Sequence, residues 1–278
     1  GLVGYWKINE GEGNIVKDYS GNGNDGKVIE YCWVKGKQRS VLKLEGNTHI
    51  EIPSSESLNL TGPLTIEFWA SFGPGTGQQV WHNIVSKGIG DDKSVYSLRE
   101  LPNVLYFCLW GPHEGKRTYW CWAIRHNFYG DGLWHHIVVS YNIDQPEVFY
   151  DGKRQEIFSR MRRDYPFEIE VNNEPVYIGG KGGGNFNGLI GEVRIYNRSL
   201  SFEEIERHYK EQRESFQDII LGKTEEKTEF ALVGDWSRWK GTYIPYWDTA
   251  FGYHKLNNAW NWGLSKFFRY NCEINYKV

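Results

Sequence analysis

The feature that most constrains this chain is its rhythm. Short apolar or alternating runs recur roughly every 10 to 15 residues, punctuated by Gly, Asn, Asp and Pro. They fall at Val41–Leu44, His49–Ile52, Leu64–Ser71, Asn83–Ser86, Tyr96–Leu98, Val104–Trp110, Arg117–Arg125, His135–Tyr141, Glu147–Tyr150, Val176–Ile178 and Gly188–Tyr196. Runs this short and evenly spaced predict an all-β antiparallel sandwich or barrel. Asp151-Gly152 follows Val148-Phe149-Tyr150, and that dipeptide supplies the positive φ angles of a tight hairpin. One helix interrupts the pattern. Ser201-Phe-Glu-Glu204 is a capping box, which starts a helix expected to run to about Gln212.

Composition narrows the function. The 278 residues suffice for a large core without disulfides. With 32 basic against 35 acidic residues, the net charge of −3 lacks the basic excess of a nucleic-acid binder. No apolar run approaches the ~20 residues of a membrane span, and the mean hydropathy is −0.60, so no membrane insertion is expected. Aromatic residues make up 16% of the chain, more than a core alone requires. The four cysteines, Cys32, Cys108, Cys121 and Cys272, form no C-x-x-C pair and permit up to two disulfides. The chain opens at Gly1 rather than Met, which reads as a fragment or a mature product.

One domain with an extension packed on it is expected. Residues 1–212 hold the sandwich and its helix, and 213–278 hold a charged linker and a Trp-rich extension packed on the sandwich. Within the extension, Ala231-Leu-Val-Gly-Asp-Trp236 echoes Gly1-Leu-Val-Gly-Tyr-Trp6, a likeness too short to build a second sandwich.

Four blocks in fixed order carry a family likeness. They are Gly4-Tyr-Trp6 with Glu10-Gly-Glu-Gly13 and Asp18-Tyr-Ser-Gly-Asn-Gly-Asn-Asp-Gly26; Leu64-Thr-Ile-Glu-Phe-Trp69; Asp131-Gly-Leu-Trp-His-His-Ile-Val138; and Phe186-Asn-Gly-Leu-Ile-Gly-Glu-Val-Arg-Ile-Tyr-Asn-Arg198. Together they resemble the laminin-G-like, concanavalin-A-like lectin/glucanase superfamily. The resemblance implies a jelly roll of two curved sheets, a fold that serves binders, enzymes and adhesive domains alike. It also implies a structural Ca²⁺ held by Asp18, Asn22, Thr48 and Glu192, with Gly191 standing where relatives more often carry Asp. Loop composition agrees, since hard cations want oxygen ligands and Gly lets the backbone present them.

Trp6, Trp69 and Trp134 lie in those blocks and are assigned to packing. Trp33, Trp81, Trp110, Trp120 and Trp122 lie outside them. On the strand at 104–110, Leu105, Phe107 and Leu109 form the core face, so Tyr106, Cys108 and Trp110 point outward. Flat outward rings suit the C–H faces of sugars, with polar groups beside them for the hydroxyls. The expected carbohydrate site is therefore Trp110 and Tyr106, then Trp81, His113 and Arg117, with His82, Arg99, Arg125 and His126 as neighbouring polar candidates. On the strand at 117–126 two registers stay open. Direct pairing of 108 with 121 sets Phe107 against Trp122 in the core and joins the cysteines outside. A one-residue slip forbids that disulfide.

The Glu-x-Asp-x-Glu strand of the superfamily's glucanases, which sets two carboxylates on one face, is absent. Glu168-Ile-Glu170 is the nearest pattern, and His135-His136 is expected to send one ring to the core and one to solvent. The sequence thus reads as a calcium-stabilised, non-catalytic, lectin-like module binding a polysaccharide or glycan on an extracellular or cell-surface protein. The alternatives are a protein-interaction or self-associating assembly domain of a cell-surface or virion protein, and a hydrolase or lyase with unorthodox acids.

Overall fold

The computed structural model describes residues 1–36, 38–73, 81–101, 103–161, 168–181, 185–217, 253–256 and 259–262. Ahead of the helix the strands are β1 (Leu2–Trp6), β2 (Ile15–Val16), β3 (Gly26–Ile29), β4 (Cys32–Lys35), β5 (Ser40–Leu44), β6 (His49–Ile52), β7 (Leu64–Phe72), β8 (His82–Lys87) and β9 (Tyr96–Leu101). They continue as β10 (Val104–His113), β11 (Lys116–Arg125), β12 (His135–Tyr141), β13 (Pro146–Tyr150), β14 (Lys153–Gln155), β15 (Ile157–Met161), β16 (Val176–Ile178) and β17 (Gly188–Tyr196). An eight-stranded sheet runs β14-β13-β12-β7-β17-β5-β4, with β1 also pairing with β17. A nine-stranded sheet runs β15-β11-β10-β9-β8-β16-β6-β3-β2. Every strand pairing in both is antiparallel, giving an all-β jelly-roll sandwich.

Alternation along each strand builds the core between the sheets. On β7, Leu64, Ile66, Phe68, Ala70 and Phe72 join it, while Thr65, Glu67, Trp69 and Ser71 turn to the other face. Leu105, Phe107 and Leu109 of β10 join it with Trp120, Trp122 and Ile124 of β11. Each such large apolar side chain contributes about 1.5–3 kcal/mol on burial. Phe107 lies opposite Trp122 and Cys108 opposite Cys121, so the register that permits the disulfide is the one adopted. Cys32, buried in β4, is also disulfide-bonded.

The β13–β14 hairpin turns on Asp151 and Gly152, at φ 53° and 73°. Helix α1 (Phe202–Gln217) starts as its capping box requires: Glu204 N–H donates to Ser201 Oγ (3.3 Å), and Ser201 N–H to Glu204 Oε2 (3.0 Å). It runs past Gln212, so the expected boundary at 212 falls inside it. The added turn carries Phe216, which stacks on Trp69 with ring centres 4.6 Å apart. Gly191, at a bulge in β17, permits that approach, because a Cβ there would collide with the Phe216 ring.

Farther on, β18 (Tyr253–Leu256) and β19 (Ala259–Trp262) form a hairpin of their own. The rest of the Trp-rich extension, with Cys272 and the echo at 231–236, lies outside the described residues. Among the described residues no helix is long and apolar enough to cross a membrane.

Candidate functional site

The outward face of the nine-stranded sheet gathers aromatic rings around one cation. Tyr106 and Trp110 project from β10 beside Cys108, and Tyr119 projects from β11 beside Cys121. Arg99 lies opposite Tyr106 on β9, and Trp81 immediately precedes β8. The Arg99 guanidinium sits 4.7 Å from the Trp81 ring centre and 4.8 Å from that of Trp110, with an indole on each flank. Trp81 meets Tyr106 edge to face at 4.6 Å. Trp81, Tyr106 and Tyr119 are half-buried and present ring surface, whereas Trp110 is only 1% exposed. Burial between the rings pushes the Arg99 guanidinium below its ordinary value, against the pull of Asp91. Guanidinium stays charged there all the same.

The sequence-predicted set is thus brought together only in part. Trp81, Tyr106 and Trp110 share this face, with Trp110 as its floor and no open ring face of its own. Arg117 points the same way but is spent as a strut. It pairs with Glu170 at 2.6 Å and donates to the carbonyls of Asp91 and Ser94, tying the loop before β9 to the sheet. His113 faces the other side, edge-on to the core residue Trp120 at 6.1 Å, because odd positions of β10 point inward. Arg125 is outward and stacks on the exposed Phe158 at 4.4 Å. Arg99 is the cation at the centre. Its place opposite Tyr106 is set by the pairing of β9 with β10, which the cysteines of β10 and β11 do not fix.

His82 and His126 belong to the interior. His126 Nε2 lies 4.0 Å from Glu100 Oε2, with both side chains 1% exposed, and neither atom has a hydrogen-bond partner. Burial pushes Glu100 up to about 8 and His126 down to about 4.

The four predicted calcium ligands each have protein partners. Asp18 Oδ1 accepts the backbone N–H groups of Tyr5 (3.0 Å) and Ser20 (2.8 Å). Its Oδ2 accepts Asn24 N–H (2.9 Å) and the Ser20 hydroxyl (2.8 Å). Asn22 donates its amide to the Val3 carbonyl and to Ser20 Oγ. Thr48 donates its hydroxyl to the Glu30 carbonyl. Glu192 sits under α1, accepting from Arg194 (2.7 Å) and Gln212 (2.8 Å). Asp18 and Asn22 therefore meet around Ser20, whereas Thr48 and Glu192 bond to other elements. Among the described residues no group of three or more His, Cys, Asp or Glu side chains is placed to hold a metal.

The outward face of the eight-stranded sheet is a different construction. Glu67 accepts from His136 Nε2 (2.9 Å), His208 Nδ1 (3.1 Å) and Tyr196 Oη (3.2 Å), with Arg194 3.6 Å away. Burial would raise this carboxyl, but the His136 and His208 bonds and the Arg194 charge outweigh it and hold it well below the usual carboxylate range. Trp69 stacks with His136, Tyr209 and Phe216 and donates to Gln212 at 2.6 Å. Trp69 and Trp134 thus pack against α1, not in the sandwich core. Neither ring of the His pair meets solvent. His136 is covered by α1, and His135 is clasped by Asp131 and Asp151 at 2.9 Å each.

Two curved antiparallel sheets, one face sealed by a helix and the other lined with aromatics, define a jelly-roll module with a single candidate recognition face. The chain belongs to the concanavalin A-like lectin/glucanases superfamily, whose family model matches residues 44–206, more than half its length. No curated protein sequence matches it. Among solved structures it is similar to the binding domain of Paraclostridial Mosquitocidal Protein 1, with TM-score 0.57 and 19% identity over 75% of this chain and 51% of that one. It is also similar to the binding domain of botulinum neurotoxin DC in complex with rat synaptotagmin II (TM-score 0.54, 13% identity, 76% and 51%). A third is the serotype D ligand-binding domain in complex with N-acetylneuraminic acid (TM-score 0.57, 14% identity, 76% and 51%). At these identities the likeness is one of fold, and it spans about half the length of each neighbour.

Proposed function

We propose that this chain is a non-catalytic carbohydrate-binding module of an extracellular or cell-surface protein, using the outward face of the nine-stranded sheet. One observation carries the reading: the half-buried rings of Trp81 and Tyr106 meet at a right-angled corner beside the Arg99 guanidinium. A sugar ring stacks its C–H face on such a surface while a neighbouring charge takes its polar groups. The fold neighbours support a binding role, one described with a sialic acid and another with a protein. Those ligands are not assigned to the half of each neighbour that this chain matches.

A glycan and polysaccharide screen tests the reading, with Trp81→Ala and Tyr106→Ala as controls. Saturable binding is expected, weakened at least ~10-fold by either change, with the melting temperature preserved. A folded protein that binds no glycan in the screen overturns the reading. A search for a protein partner then takes its place.

A further inference from the structure

On the recognition face Arg99 holds its counter-ion more loosely than Arg117, which pairs with Glu170 at 2.6 Å. Several arginines elsewhere meet an acid closely. Arg198 grips Glu204 through two bonds of 2.8 and 2.7 Å, and Arg194 meets Glu192 at 2.7 Å. These are the lengths of charge-assisted hydrogen bonds. Arg99 instead directs both Nη1 and Nη2 at a single oxygen, Asp91 Oδ1, at 3.4 Å each. Its Nε has no partner, although the residue is only 9% exposed. Asp91 itself lies before β9 with 67% of its side chain in solvent. A nearly buried cation is therefore balanced by one loose, exposed counter-ion. The planar guanidinium fork is built to take two parallel bonds from a carboxylate, and here it lies within 5 Å of both the Trp81 and the Trp110 ring centres, at 4.7 and 4.8 Å.

We propose that the ligand of this face is a carboxylated sugar, whose carboxylate replaces the Asp91 side chain on Arg99 while its ring stacks against Trp81 and Tyr106. This rests on the carbohydrate reading above and adds the charge of the sugar to it. Asp91 acts as an internal stand-in for the ligand's acid, keeping the guanidinium paired when the face is empty. A uronic acid or a sialic acid presents the required group, a planar carboxylate next to a pyranose ring. A sulfate ester also offers two oxygens to the fork, so a sulfated polymer is the comparison that separates the two kinds of acid.

The test pairs each acid with its neutral counterpart: polygalacturonate with its carboxyl-reduced polymer, and N-acetylneuraminyl-lactose with lactose, beside a sulfated neutral polysaccharide. The carboxylated member of at least one pair is expected to bind about 10-fold more tightly, a difference of 1.4 kcal/mol. Asp91→Asn, a change on an exposed loop, is expected to raise that affinity several-fold by removing the competing acid. Arg99→Lys is expected to remove the preference for the acid, because an ammonium cannot form the fork. Equal binding of acid and neutral members overturns the proposal and leaves the carbohydrate reading standing. Weaker binding by Asp91→Asn, or preference for the sulfated polymer, also overturns it. Absence of any binding removes both readings.

Discussion

The two outward faces of this sandwich use the same kinds of side chain to opposite ends. On the eight-stranded sheet Trp69, Glu67 and Arg194 are sealed beneath α1, and every oxygen of Glu67 has a donor. On the nine-stranded sheet Trp81 and Tyr106 keep open ring surface, and the Arg99 fork meets only the exposed Asp91, at 3.4 Å. Aromatic and charged residues outside a core therefore do not announce a binding site. What separates the faces is whether another element of the chain has already taken their stacking surface and hydrogen bonds.

The comparison breaks first at Glu67. Removing its carboxylate leaves His136, His208 and Tyr196 with unmet hydrogen bonds beneath the helix and takes from Arg194 one of its two neighbouring acids. Breaking a buried pair in this way costs about 3–5 kcal/mol. Glu67→Ala is expected to lose that much in urea unfolding, and Trp69→Ala a similar amount by cavity formation, while neither alters affinity at the opposite face. Loss of affinity without loss of stability in Trp69→Ala would show that the sealed face is the one that binds. The same network sets an acid limit. A carboxylate whose value is depressed in the fold contributes stability above its ordinary range and loses it as pH falls through the lowered value.

A smaller effect sharpens the contrast from inside the core. Glu100, pushed up to about 8 by burial, holds a proton in the fold that the unfolded chain gives up near the ordinary value of 4.5. His126, pushed down to about 4 by burial, does the reverse between there and 6.5. From 4.5 to 6.5 the two slopes offset. Above 6.5 only the Glu100 slope remains, so stability falls by about 1–2 kcal/mol as pH rises to 8. His82 lies opposite Glu100 on β8, and Tyr129 and His135 face the pair from the β11–β12 segment. His135, which burial alone would lower, is raised by Asp151 and Asp131 and adds a slope of the same sign. Thermal unfolding of wild type and Glu100→Gln across pH 6.5–8 isolates the carboxyl. The variant should lose most of the slope, and an unchanged slope would place it on His135.

The strands were legible where their residues alternate. His49–Ile52, His135–Tyr141, Val176–Ile178 and Gly188–Tyr196 stand in the structure with the bounds their pattern predicts. Gly26–Ile29 and Cys32–Lys35 were missed, since four mixed residues carry no period and sheet pairing alone holds them. At the candidate site, alternation showed that Trp110 points outward. It could not show that Arg99 and Tyr119 pack against that ring, or that Arg117 would be claimed by Glu170, 53 positions away. The solvent-facing ring expected of His135-His136 failed for the same reason, because α1 returns over β12 from later in the chain.

The Asx-rich loop gives the smallest expected effect. A carboxylate offers about four acceptor sites, and the four hydrogen bonds on Asp18 use that number. The loop is closed further by Asn24, whose amide donates to the Val3 carbonyl (2.8 Å) and whose oxygen accepts from Ser55 (2.7 Å). These bonds hold the loop's shape from within the chain. Chelator is therefore expected to move the melting temperature by less than about 1 °C, whereas loss of an ion present at 100 times its Kd would remove about 2.7 kcal/mol. Asp18→Ala should do what chelator does not. It strips acceptors from the Tyr5, Ser20 and Asn24 N–H groups and costs about 1–3 kcal/mol for each donor left buried without a partner. A fall of several degrees on chelation, abolished in Asp18→Ala, would instead show that these oxygens exchange their N–H donors for a cation.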